Sequence, residues 1–283
     1  MLRPIVSAIR TPFFQLKEYL HRRPQPGFDW TFGNAGSDPH VLEAARVLNN
    51  QGIVVLPGYF SGDLLQRMQQ CFDRALRERA VRIAVRDSIN VTELLDFDPC
   101  FVRAAFDDGV LEIMARYFQK PFGFGRLAAT RLLRTEAHRD TSYQWHHDAR
   151  GRQLHLMVLL TDVPADGQRM QYLTGSQQRY YSKARGQGHG SRFEADIRRG
   201  ERLGNDIVDV TGVAGTVAIF DSNGLHSGTR VPAPERDTVI YSYVSWRHCW
   251  QWKPKVRRSD FEVLTAEQKR VLAFNPHYQL IAN

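Results

Sequence analysis

The chain has 283 residues, enough for one large domain with a substantial core. Its 42% apolar and 11% aromatic content is that of a globular enzyme, with no apolar run near the roughly 18 residues that cross a membrane as a helix. The excess of 38 basic over 30 acidic residues favours an anionic partner, and with no nucleic-acid-binding module present it points to an acidic membrane surface or a charged substrate.

At the N-terminus Leu2, Ile5, Ile9, Phe13, Leu16 and Leu20 recur at helical steps, bordered by Arg3, Arg10 and Lys17. This is an amphipathic helix with a basic edge, interrupted at Pro12. It suits peripheral contact with an anionic membrane surface, docking on the core, or, less well, an organelle presequence. Pro- and Gly-rich residues 21–38 follow as a linker, so residues 1–38 read as an appendage to a main domain over 39–283. The stretch lacks the apolar region and small-residue cleavage site of a secretory signal. Cys71, Cys100 and Cys249 are odd in number, far apart and without zinc spacing, as free thiols of a reducing compartment are. The expected location is cytoplasmic, with peripheral binding to the inner membrane if the N-terminal helix meets lipid.

Ser37 or Asp38 can cap a helix that has Pro39 at its first position, carries Val41, Leu42, Ala45 and Leu48 on one face, and ends near Gly52. A strand over Ile53–Pro57 comes next, then helices over about 62–78 and 107–117. From Leu127 onward the pattern is β. Strands are expected at Leu127–Leu133, Leu154–Leu160, Met170–Leu173, Ile207–Val210, Thr216–Phe220 and Thr238–Trp246. Short strands at this spacing, separated by Gly, Pro and Asp, argue a sandwich or barrel. The Gly- and Arg-rich stretch over about 182–206 is too long for a plain hairpin loop and reads as a lid or a disordered segment.

Just ahead of the Leu154–Leu160 strand stands His146-x-Asp148. Residues two apart on extended backbone project the same way, so one short segment can offer an imidazole and a carboxylate to the same metal ion. A distant His completes the two-His-one-carboxylate face of non-haem Fe(II), with the remaining positions open. His226 suits that role, since it follows the buried run Gly215–Asp221 and has Gly224 and Gly228 close on either side. A second triplet, His138-Arg139-Asp140, lies in a polar stretch with no strand to hold it, which favours His146. Ten residues beyond His226, Arg236 opens the next strand and can clamp a carboxylate; Arg230 competes for that role.

Over roughly residues 40–250 the chain resembles the phytanoyl-CoA dioxygenase family of Fe(II)/2-oxoglutarate oxygenases. The matching features are VLEAARVLNNQGIVVLPGYFS, QWHHD, LLTDV with QYLTGSQ, GTVAIFD with LHSG, and the Arg ten residues past the His. Gly175-Ser176-Gln177 departs from the family's usual Gly-Ser-His, and an Asn common after the distal His-Gly is missing. The resemblance implies a mainly β fold, a double-stranded β-helix (jelly roll, cupin-like) over about 127–248, with an N-terminal helical segment. It implies Fe(II) on His146, Asp148 and His226, and 2-oxoglutarate on the iron with its far carboxylate on Arg236. O2 then converts 2-oxoglutarate to succinate and CO2 while a substrate C–H bond is hydroxylated. Asp148 argues against the related halogenases, in which a small residue replaces the carboxylate; desaturation or epoxidation would use the same triad. A zinc hydrolase or a non-catalytic jelly-roll binding module are the alternatives outside the class.

The substrate reading rests on charge. Arg150 and Arg152 follow the triplet, and Arg198, Arg199 and Arg202 lie in the insertion, a pattern that suits either a solvated basic loop or steering of a polyanion into the barrel mouth. With the basic N-terminus this points to an anionic small molecule or lipid-linked sugar, and the chain is similar in outline to hydroxylases of the Kdo sugar of lipopolysaccharide. A hydroxylase of an amino acid or natural-product intermediate is the alternative.

Overall fold

The computed structural model describes residues 23–79, 81–83, 88–134, 144–148, 153–178, 194–202, 204–229, 231–245 and 252–283. The expectations for the N-terminal helix, for His138 and for Arg230 lie outside these residues. Helix α1 (Pro39–Gln51) begins where Asp38 accepts the His40 N–H at 2.8 Å, and Pro39 takes the first position, where its missing N–H costs nothing. It stops at Gly52, whose φ of 82° lies in the left-handed region and whose N–H donates to the Leu48 carbonyl. That stop delivers the chain straight into β1 (Ile53–Leu56). The buried face of α1 is Val41, Ala44, Ala45 and Leu48; Leu42, expected there, is 38% exposed because it lies off that stripe.

Helix α2 (Gly62–Arg79) buries Met68, Cys71, Phe72 and Ala75. Then come β2 (Val81–Ile83), β3 (Ser88–Thr92), α3 (Pro99–Ala105) and α4 (Asp108–Phe118), the last two capped by Asp98 and Asp107. Strand β4 (Gly123–Leu132) starts at Gly123 rather than Leu127, since Phe124 packs on Tyr241 and Tyr243 of the neighbouring strand. The remaining strands of the two main sheets flank one helix: β5 (Gln153–Leu159), β6 (Met170–Leu173), α5 (Glu194–Arg202), β7 (Ile207–Val210), β8 (Val217–Asp221), β9 (His226–Gly228) and β10 (Arg236–Val244). A C-terminal unit closes the chain: β11 (Lys255–Arg257), α6 (Arg258–Glu262), α7 (Ala266–Ala273) and β12 (Gln279–Ile281).

Among the described residues, seven strands pair in the order β1-β8-β5-β10-β4-β3-β2 and three more in the order β7-β6-β9, antiparallel throughout. The two sheets make the double-stranded β-helix, and strand alternation divides the larger one into two chemistries. Leu154, Leu156, Val158, Val217, Ile219, Val239, Tyr241 and Tyr243 face the helices in one core. Met157, Leu159, Ala218, Phe220 and Ile240 face inward and join Met170, Tyr172 and Val210 of the smaller sheet in a second core, inside the barrel. Within the stretch expected as a lid or a disordered segment, residues 194–202 form helix α5. Its Ile197 is buried with Leu173 and Leu225, beside Trp145, and Gly200 sits close over the Leu173 side chain.

Candidate metal centre

His146 lies just outside the named strands but pairs with His226 as an isolated antiparallel bridge, each N–H donating to the other's carbonyl at 2.9 Å. This bridge extends the smaller sheet by one position and brings residues far apart in sequence side by side. The two imidazole centroids are 4.3 Å apart. Two residues on, the Asp148 N–H donates to the Ser222 carbonyl, fixing the backbone that carries the carboxylate.

The ring nitrogens are sorted by what each touches. Nδ1 of His146 lies 2.7 Å from the Gln144 carbonyl and Nδ1 of His226 2.9 Å from the Gly224 carbonyl. A carbonyl only accepts, so both protons sit on Nδ1 and each Nε2 presents a lone pair. Those Nε2 atoms face Asp148, at 3.6 Å from Oδ1 for His146 and 3.7 Å from Oδ2 for His226. One ligand atom from each residue fits within a 4.8 Å set. Metal bonds of about 2.1 Å place neighbouring ligand atoms about 3 Å apart, so a modest contraction closes this set around a cation. Two neutral imidazoles and a carboxylate on one face are the donor set of mononuclear Fe(II) oxygenases. Both His are buried while the Asp148 side chain is 40% exposed, so the carboxylate marks the approachable side.

Burial opposes ionisation of Asp148, but the nearby His226 and the hydrogen bond from His155 outweigh it and hold the carboxyl well below the usual carboxylate range. Burial likewise opposes charge on His226, and Asp148 reverses the balance, raising it. Both shifts have one geometric cause, a carboxylate set beside the imidazoles of His146, His155 and His226.

Support for the loop bearing His226 comes from groups that motif reading missed. Asp221, fully buried at the end of β8, accepts the Tyr117 hydroxyl at 2.5 Å and the Asn223 N–H at 2.9 Å. The Tyr172 hydroxyl donates to the Asp221 carbonyl at 2.9 Å, and its ring lies parallel to that of His226. Gly224 is required here, because a Cβ would overlap the Tyr172 hydroxyl. Ser176 donates to the Leu173 carbonyl and accepts the Leu225 N–H at 2.8 Å, tying the turn after β6 to the same loop. His155, with Nε2 3.1 Å from Asp148 Oδ2, was also missed. A lone imidazole inside the apolar run Leu154–Leu160 was its one sequence signal.

Arg236 opens β10 half-buried, and its Nη1 donates to the Gln168 carbonyl at 2.5 Å. It shares the inward row of β10 with Thr238, Ile240 and Ser242, the last of which touches His155 at the metal end. Of the basic residues assigned to substrate, Arg198 and Arg202 are exposed on α5, Arg150 and Arg152 lie outside the described residues, and Arg199 is described in its helical backbone alone.

Residues 48–232 match the family model described as phytanoyl-CoA dioxygenase (PhyH). Comparison with curated proteins finds no match. Among solved structures, EctD from S. alaskensis with bound Fe is 19% identical, with a TM-score of 0.60 over 79% of this chain and 83% of that one. The epimerase SnoN of nogalamycin biosynthesis, in complex with Fe3+, alpha-ketoglutarate and nogalamycin RO, is 19% identical, with a TM-score of 0.60 over 74% and 86%. HygX from Streptomyces hygroscopicus, with nickel, 2-oxoglutarate and hygromycin B bound, is 17% identical, with a TM-score of 0.53 over 72% and 89%. These likenesses carry the fold.

Proposed function

The chain belongs to the phytanoyl-CoA dioxygenase family of Fe(II)- and 2-oxoglutarate-dependent dioxygenases, and from that premise we propose that it hydroxylates an unactivated C–H bond of an anionic substrate. The observation that carries the reading is the convergence of His146, Asp148 and His226, with both Nε2 lone pairs turned to one carboxylate. These three residues would hold Fe(II), and Arg236 would hold the distal carboxylate of 2-oxoglutarate. Iron with 2-oxoglutarate and O2 supplies the oxidising power. The protein's part would be to present three ligand atoms on one face, to anchor the distal carboxylate of the co-substrate and to keep bulk water from the apolar interior.

For the substrate, the class we propose is a sugar acid on a lipid, specifically the Kdo sugar of Kdo-lipid A. What supports it is charge placed next to the site: α5 docks through Ile197 beside Leu225, the neighbour of His226, while Arg198 and Arg202 remain exposed on the same helix. Arg150, Arg152 and Arg199 would add to this basic rim, and the N-terminal amphipathic segment would rest on the acidic membrane surface. The test is succinate release from 2-oxoglutarate by the iron-loaded protein, with and without Kdo-lipid A, with hydroxylation read by mass spectrometry. Stimulated succinate release and a 16 Da gain on the sugar are expected. Iron-loaded protein that turns over 2-oxoglutarate but leaves the sugar unmodified would remove this substrate and keep the reaction class.

A further inference from the structure

His155 has a place in this centre that the three-ligand motif does not contain. It points into the barrel from the middle strand β5, paired with Phe220 on one side and Ser242 on the other. Apart from Gln153 and Ser242, its neighbours on that face are apolar: Met157, Phe220 and Ile240. An imidazole 3% exposed in such a setting costs about 1–3 kcal/mol unless both nitrogens find partners. Both do. Nε2 lies 3.1 Å from Asp148 Oδ2, and Nδ1 lies 3.0 Å from Ser242 Oγ.

The directions of these bonds follow from the groups themselves. An ionised carboxylate only accepts, so Nε2 carries the proton and Nδ1 accepts the Ser242 O–H. The Gln153 side-chain amide also lies 3.2 Å from Nε2. Its two ends are interchangeable by a flip, and a protonated Nε2 calls for the oxygen there. The Phe220 ring, 5.3 Å from the imidazole, holds its plane. The three residues spell a Ser–His–Asp chain, yet Ser242 is 1% exposed on the barrel wall, where no substrate reaches it as a nucleophile. The chain of hydrogen bonds ends on the carboxylate.

Resting on the iron reading above, we propose that His155 is a positioning residue that keeps Asp148 monodentate. Its Nε2–H engages Oδ2, the oxygen that also lies 3.7 Å from His226 Nε2, and leaves Oδ1, 3.6 Å from His146 Nε2, to face the metal. The count of coordination positions gives this its purpose. A six-coordinate Fe(II) held by three single-atom protein ligands would keep three positions, enough for a two-point chelate by 2-oxoglutarate and for O2. A carboxylate binding through both oxygens would remove the last of these. Ser242 sets the tautomer and His155 sets the denticity.

The experiment compares wild type with His155→Gln, which keeps an N–H donor, and His155→Phe, which fills the space without one. Each is loaded anaerobically with Fe(II) and 2-oxoglutarate, and the visible chelate band is recorded. Nitric oxide is then titrated as a surrogate for O2 and read by electron paramagnetic resonance. Outer-sphere partners of metal ligands are worth about 10–100-fold in affinity or activity, so nitric oxide uptake should fall at least about tenfold in His155→Phe. His155→Gln should stay close to wild type. If Phe does not pack, His155→Leu carries the same comparison. Nitric oxide uptake at wild-type strength in a folded, chelate-forming donorless variant overturns the proposal. A wild-type protein that forms no chelate band overturns the iron reading instead, so the two failures are distinct.

Discussion

Replacing Tyr117 with Phe removes one oxygen from α4 and separates the scaffold's contribution from that of the ligands. The Tyr117 hydroxyl donates to Asp221 Oδ2 at 2.5 Å, the length of a bond to an ionised carboxylate, in a fully enclosed setting. Bonds to charged groups contribute about 1.5–3 kcal/mol, and water cannot replace the lost donor here. A loss of about 2 kcal/mol is therefore expected, or about 4–8 °C in Tm for a domain of this size. Tyr243→Phe is the internal control. Its hydroxyl is equally buried and also bonds at 2.5 Å, but to the neutral Ala105 carbonyl, for which about 1 kcal/mol is expected. The two also differ in reach. Asp221 holds the Asn223 N–H in the loop that leads to His226, and Ser222 of the same loop accepts the Asp148 N–H. Tyr117→Phe should thus weaken Fe(II) binding measured by anaerobic titration, and Tyr243→Phe should not. Equal Tm losses together with equal Fe(II) affinities would refute the claim that Asp221 couples α4 to the metal loop.

Gly224→Ala should destabilise by about 1–3 kcal/mol in urea denaturation, since its Cβ would overlap the Tyr172 hydroxyl, and Tyr172→Phe in the same chain should recover part of the loss. Arg236→Ala should weaken 2-oxoglutarate binding about 10–100-fold by titration of the chelate band while sparing Fe(II) affinity, through loss of a charge-assisted pair. Burial opposes ionisation of Asp98, but bonds from Arg67, the Cys100 N–H and the two nearby thiols lower it to about 2. A depressed carboxyl stabilises fully above its unfolded value near pH 4 and loses that contribution as pH falls toward 2. Wild type should therefore lose about 1 kcal/mol more than Arg67→Ala between pH 7 and pH 3, read from urea midpoints at each pH.

What could be read in the sequence were features with local causes. Asp38, Pro39 and Gly52 bracket α1 through caps and a left-handed stop, and the apolar runs at Leu154 and Val217 announce central strands. That His146, Asp148 and His226 come together was readable from the His-x-Asp spacing and, for the distant His226, from the family resemblance. Short elements were not legible: β9 is three residues containing a Gly, and β3 mixes Ser, Asn and Thr with two apolar residues. Helix α5 lay hidden in a polar, Arg-rich stretch in which Ile197 is the one large apolar residue, which leaves no periodic stripe. His155 and Tyr117 escaped for a different reason. Their partners, Asp148 and Asp221, are fixed by sheet register and by α4 packing over the barrel, which no local pattern encodes.

The iron site we propose on His146, Asp148 and His226 is one that accepts 2-oxoglutarate. Its most direct test is anaerobic titration of the metal-free protein with Fe(II) and 2-oxoglutarate, following the weak visible charge-transfer band of the chelate. A saturable band is expected in wild type and in His138→Ala, abolished in His146→Ala. A folded wild type with no band, or a band that survives His146→Ala and vanishes in His138→Ala, would contradict it.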